Sequence, residues 1–300
     1  MFQVNSEVYG GTEHMARLFK THVESLVPTL NKFNCMIAPG YMPSVESLLK
    51  DDKDTILWLH NPFNQFNYNL LYEFSHPLFL KKLKAVVVVS NHLKNSVVKD
   101  LGIDRNKVVV ISNVIEPVEN DVLRFKNVNK VKAIYTSSAD RGLEVLLNAM
   151  PLIEGNIEVN VFSNFYPDIS APGIEFDSRV VFYGLTPHTT VRKVLSESHI
   201  FSYPCSFDET FCISLGEAIS ANCIPVHSDQ DALVEVGQQQ GMVYKIENNN
   251  HVEVFAKTMN DAIKRVQSNL YDPKDAAQHI NSRFSLDVFK KSWIEFSKSL

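Results

Sequence analysis

Residues 198–226 read SHIFSYPCSFDETFCISLGEAISANCIPV. The run opens as an apolar strand, passes a proline and a short polar loop, becomes a helix of apolar and small residues, and ends in a second strand-like stretch, CIPV. Strand, helix and strand in that order imply a βαβ unit with parallel strands. Glu217 is the only charge between Thr210 and Val226, and Glu209 stands eight positions before it. A carboxylate is rarely buried unless something pairs with it. At about 100° per residue, Glu217 lies off the apolar side formed by Phe211, Leu215, Ala218 and Ile219, so the helix reads as covered on more than one side. The helix starts at the carboxyl end of its strand, where open α/β sheets bind ligands and free amides attract phosphate. Helical rise would set the two glutamates roughly 12 Å apart, comparable to the reach of a nucleoside diphosphate sugar. The plainer alternative makes Glu217 a surface residue and Glu209 a first-turn acid that favours the helix dipole.

Outward from this segment the same alternation recurs. Apolar, β-branched runs stand at 55–59, 85–90, 107–112, 131–138, 157–163, 179–184, 199–204 and 223–228. Runs without polar alternation fit strands buried on both faces. Helical patterns lie between them at 12–26, 91–100, 142–150, 189–197, 211–221 and 251–266. The polar segment 116–130, EPVENDVLRFKNVNK, has no clear apolar period and is expected to link two α/β sets. At the end of the chain, Phe289, Trp293 and Phe296 fall on one helical face, which should dock on something.

Bulk properties narrow the classes. The chain has 300 residues, 45% hydrophobic and 21% charged, ordinary for a globular protein with a sizeable core. A formal charge of -5 gives no footprint for nucleic acid. No apolar run approaches the roughly 20 residues needed to cross a bilayer, and MFQVNSEVYGG lacks the regions of a secretory signal. Four cysteines without a C-x-x-C pair suggest neither zinc nor a redox motif, and reduced thiols in a cytoplasm are the simplest reading. DDKD at 51–54 contains Asp-x-Asp but lies in a charged loop before a strand and reads as solvated surface, so no metal site is expected.

Other segments carry candidate chemistry. In YTSSADRGLEVLLNAMP (135–151) a strand ends in Ser137 and Ser138, and Arg141-Gly142 opens a helix. Hydroxyls, an arginine and helix-start amides suit a diphosphate; a capped helix with a surface arginine is the alternative. Gly10-Gly11 precedes an amphipathic helix and permits close backbone approach, as turns also do. His60 ends a strand in WLHNPF, a position as well suited to a structural histidine.

The 198–226 segment closely resembles the donor-binding segment of the retaining glycosyltransferases of family 4, in Pro204, Glu209, Glu217-Ala218 and Pro225-Val226. Thr210 and Asn222 stand where that family often has glycine. The resemblance implies the GT-B fold, α/β with two Rossmann-like parallel-sheet domains facing a cleft. These are expected at 1–118 (acceptor side) and 128–283 (donor side), with a helix at 284–300 crossing back to the first. It implies catalytic roles for Glu209 on the donor sugar, Arg141 on the phosphates and His60 near the sugar. It places Glu217 on the ribose, and Ser137, Ser138, Thr210, Phe211, Cys212, Gly10 and Gly11 around the donor.

The expected activity is transfer of a sugar, with retention, from a nucleoside-diphosphate sugar to an acceptor hydroxyl. The donor is a substrate, and no cofactor or metal is expected. A glycan, lipid-linked or small-molecule acceptor fits, with peripheral membrane contact open. A sugar-nucleotide epimerase, or a non-catalytic binding or scaffold protein with a degenerate first domain, would use the same motifs.

Overall fold

The computed structural model describes residues 2, 10–38, 45–62, 75–119, 122–165, 176–237, 241–247, 249–268 and 274–300. The chain forms two compact units, one of Met1–Val114 with Phe284–Leu300 and one of Ile115–Arg283.

The first unit holds a four-stranded sheet of β1 (Asn34–Ala38), β2 (Thr55–Leu59), β3 (Leu83–Val88) and β4 (Val108–Val110), in the order β1-β2-β3-β4. All pairings are parallel. Every residue of β2 is buried, as a strand covered on both faces requires. Helix Gly11–His22 stops short of the expected 12–26 span: the backbone leaves the helical region at Val23, φ −121°, which turns Val23 and Val27 inward to full burial. Ser90 caps helix Asn91–Leu101 by accepting from Leu93 N–H at 3.1 Å, and Gly102 ends it at φ +61°.

The terminal helix, Leu286–Ser299, packs within this unit. Its Trp293 ring lies 4.8 Å from Phe19 and 5.0 Å from Trp58, and Phe289 and Phe296 are buried beside it. Each such side chain contributes about 1.5–3 kcal/mol of apolar burial.

The second unit holds β5 (Val131–Thr136), β6 (Ile157–Phe162), β7 (Val180–Phe182), β8 (Ile200–Tyr203), β9 (Ile224–Ser228) and β10 (Met242–Tyr244). Their order is β10-β9-β8-β5-β6-β7, again all parallel. The order reverses between β5 and β8, so the crevice at their carboxyl ends is the ligand-binding position of an open sheet.

The polar segment expected as a linker is bound into this unit. Arg192 takes the carbonyls of Glu116 and Pro117, Val118 N–H donates to Ser220 Oγ at 3.0 Å, and Arg124 donates to the carbonyls of Ser198 and Ala221. Long-range side chains supply the partners that its own sequence period lacks, and the units divide at Val114/Ile115.

Candidate functional site

The loops after β5 and β8 meet at the switch point. After β5, Ser137 N–H donates to Phe162 O at 3.2 Å, and the Tyr135 phenol donates to Ser138 O at 2.6 Å. One 3-10 turn, Ala139–Arg141, then leads through Gly142 into helix Leu143–Ala149. Gly142 has φ +92°, and a Cβ there would lie 1.9 Å from Pro204 O. Only glycine lets the Arg141 loop close onto the end of β8 at this distance.

That closure places Arg141 against Glu209. Nη1 donates to Glu209 Oε1 at 3.1 Å, and the guanidinium lies 3.2 Å from the centroid of the Phe207 ring. The Tyr203 phenol donates to the same oxygen at 2.7 Å, with Cys205 Sγ at 3.9 Å. Burial pushes the Glu209 carboxyl above its ordinary range, while Arg141 and the Tyr203 hydrogen bond pull it back. A mostly enclosed carboxylate beside an arginine, at the carboxyl ends of two parallel strands, can accept hydroxyls while the arginine meets an anion.

Glu217 lies on helix Ile213–Ser220 and is 7% exposed. Arg192 Nη1 and His188 Nε2, both from helix His188–Glu197, lie 3.1 Å from its Oε1. The hydrogen bond to Glu217 raises the His188 pKa, against the opposing effect of burial. Gly216 lets this helix pack on Ile115, whose Cδ1 would lie 2.5 Å from an added Cβ.

Both ends of this helix depart from ordinary backbone. Cys212 precedes it at φ +65°, a strained conformation for a non-glycine residue. At the other end Asn222 has φ +64°, its N–H donates to Ile219 O, and Cys223 N–H donates to Ala218 O. This is a Schellman cap with asparagine where glycine is usual. Thr210 is not among the positive-φ residues; the left-handed position falls two residues later, at Cys212.

Glu209, Arg141, Ser137, Ser138, Thr210, Phe211, Cys212 and Glu217 all belong to the second unit. Phe211 is 2% exposed, so its side chain is core and only its backbone can face a ligand. Burial pushes the Cys212 thiol well above its usual range and Cys205 up to about 12, so neither is a ready nucleophile.

His60, Gly10 and Gly11 lie in the first unit. His60 follows β2 directly, its ring 4.8 Å from Trp58, and full burial pushes its pKa down to about 3, so it stays neutral. Gly10 is the N-cap of helix Gly11–His22 in extended backbone, φ −119°, which any residue adopts. The acidic stretch 51–54 is exposed, and Asp51 Oδ1 accepts from Lys53 N–H.

Tyr203, Phe207, His188 and Arg192 were not singled out from sequence. Tyr203 and Phe207 lie inside the quoted motif, and only their neighbourhood to Glu209 could have flagged them. Arg192 and His188 stand 25 and 29 residues before Glu217, and nothing local announces those pairs.

Residues 131–265 match the family model described as glycosyl transferases group 1. This matched stretch lies within the second unit, in a chain with the α/β, two-sheet fold class of GT-B glycosyltransferases. Among solved structures, HepE of Anabaena in complex with UDP-glucose aligns with a TM-score of 0.74 at 13% identity, over 100% of this chain and 98% of that one. Sucrose-phosphate synthase from Thermosynechococcus elongatus aligns at 0.68 and 12%, over 99% of this chain and 82% of that one. A curated relative, a phosphatidylinositol N-acetylglucosaminyltransferase subunit of Arabidopsis thaliana, is 22% identical over 276 residues, 78% of this chain. The match spans 61% of that relative's length. No helix among the described residues is long and apolar enough to cross a membrane.

Proposed function

We propose that this protein is a retaining, metal-independent glycosyltransferase that moves a hexosyl group from a nucleoside-diphosphate sugar to an acceptor hydroxyl. The observation that carries this reading is the Arg141–Glu209 pair, 3.1 Å apart at the β5/β8 switch point of the unit that matches the group 1 glycosyl transferase model. As the glycosidic bond breaks, negative charge grows on the leaving diphosphate. Arg141 has five N–H donors and gives one to Glu209, so it can also meet that charge, together with the amides at the start of helix Ile213–Ser220. Glu209 accepts hydroxyls of the donor sugar. Glu217, held by Arg192 and His188, accepts the ribose hydroxyls. The leaving phosphate takes the acceptor's proton. The acceptor is a glycan, a lipid-linked sugar or a small molecule. The four cysteines are free thiols, which supports a cytoplasmic setting.

The UDP-glucose complex of HepE makes a UDP sugar the first donor to try. Thermal-shift and calorimetric titrations with UDP-, GDP- and ADP-glucose should show one donor that stabilises the fold, because a ligand that binds only the native state raises its melting temperature. NMR of the product formed with a candidate acceptor should show the donor's anomeric configuration. Binding of none of these, or an inverted product, would overturn the proposal. Turnover of donor without acceptor would assign an epimerase instead.

A further inference from the structure

Two strong donors converge on one oxygen of Glu209, with the weak Cys205 Sγ donor at 3.9 Å beside them. The Tyr203 phenol reaches Oε1 at 2.7 Å and Arg141 Nη1 reaches it at 3.1 Å. Oε2 takes no donor among the described residues. A carboxylate held twice through one oxygen cannot turn without breaking both bonds, so the direction of its second oxygen is fixed. The two donors differ in what else they do. Arg141 lies on a loop and stacks on Phe207, so it is the group an incoming phosphate would compete for. Tyr203 lies on β8, is 1% exposed, and stacks on Phe201 with ring centroids 5.4 Å apart. Its phenol is buried with Glu209 as partner, as a buried tyrosine hydroxyl requires.

We propose that Tyr203 is a positioning residue for the transferred sugar: it pins Glu209 Oε1 so that Oε2 accepts a hydrogen bond from a donor-sugar hydroxyl. The proposal rests on the glycosyltransferase reading and adds a division of labour. When the diphosphate draws on Arg141, Tyr203 still holds the carboxylate from the sheet, where side chains are held more precisely than on loops. Tyr203 therefore acts on the sugar portion of the donor and not on the nucleotide. The charged and titratable groups around Glu209 are Arg141, Asp140, Asp231, Cys205, Cys212 and Tyr203 itself. Burial raises the Glu209 pKa, and the Tyr203 and Arg141 contacts lower it. Loss of the phenol should therefore let the carboxylate protonate at a higher pH.

Tyr203→Phe removes the hydroxyl and keeps the ring. Wild type and variant are titrated with UDP and with UDP-glucose, and with the GDP and ADP pairs if those are preferred. UDP affinity should change by less than about twofold while UDP-glucose affinity falls about tenfold, the loss of one hydrogen bond to a charged group. In a Glu209→Gln background the tyrosine change should have almost no further effect on UDP-glucose. Carboxyl carbon NMR should show Glu209 titrating at higher pH in Tyr203→Phe, a readout that needs no ligand. Equal loss for UDP and UDP-glucose, no loss for either, or an unmoved Glu209 titration would overturn the positioning role. Failure of wild type to bind any of the six ligands would overturn the transferase reading and this proposal with it.

Discussion

Gly142→Ala tests whether the closure of the Arg141 loop on Pro204 builds the site. Gly142 sits at φ +92°, and an added Cβ would lie 1.9 Å from Pro204 O and 2.5 Å from its carbonyl carbon. A left-handed conformation costs an L residue about 1–2 kcal/mol, and forcing extra volume into packed backbone adds about 1–3 kcal/mol. The expected destabilisation of the second unit is therefore about 2–5 kcal/mol. Gly155 is the matched control: it lies in the same unit at the same φ of +92°, and its added Cβ would meet only Ile263 Cγ2 at 3.7 Å, an ordinary contact. Gly155→Ala should show the conformational part alone, about 1–2 kcal/mol. Relief of the clash also moves the loop by about 1 Å or more, enough to break the 3.1 Å Arg141–Glu209 contact and weaken donor binding. Urea unfolding followed by far-UV circular dichroism, with a donor titration on each variant, reads both effects. Equal destabilisation by the two substitutions, or native donor affinity in Gly142→Ala, would refute the reasoning.

Arg141→Ala should lower turnover more than ground-state donor affinity, with partial rescue by lysine as a point charge; near-native kcat in the alanine variant would refute this. Glu217→Ala should weaken donor binding by about 1–3 kcal/mol in a calorimetric titration, and unchanged affinity with an intact fold would remove its ribose role. Pairing with Glu217 raises the His188 pKa above its usual value near 6.5, so its stabilising contribution is complete below that pH and lost as pH rises through the raised value. His188→Gln should flatten that pH dependence in melting curves, by a small amount because the imidazole is half exposed. Trp293→Ala should cost the first unit about 3–5 kcal/mol, read from the fluorescence of Trp58; native stability would show that the terminal helix contributes nothing to that core.

The sequence made the inner strands legible because β2, β3, β8 and β9 are mostly apolar, and all their residues but Lys84 are buried, the mark of burial on both faces. It hid β1, NCMIA, which has a single β-branched residue, and β10, three residues long. Helix Lys274–Arg283 was missed because KDAAQHINSR is mostly polar. Of the site, the glutamates and Arg141 stood out by type and spacing. Their partners did not, since Arg192 and His188 reach Glu217 from another helix and Tyr203 looks like one more residue of an apolar strand. The segment 116–130 read as a linker for the same reason: its partners, Arg192, Ser220 and Arg124's acceptors, are about 70–100 residues away in sequence, beyond any local period.

The terminal helix has a consequence for biosynthesis. Its aromatic face completes a core begun by Phe19 and Trp58, yet the ribosome makes the whole of Ile115–Arg283 in between. At 5–20 residues per second those about 170 residues take roughly 10–30 s. The second unit is contiguous and can close as it emerges, whereas the first must wait with Phe19 and Trp58 uncovered until Trp293 leaves the exit tunnel. During that interval the nascent chain offers chaperones an apolar seam in its N-terminal portion, and a truncated product that stops before Phe284 keeps it permanently open.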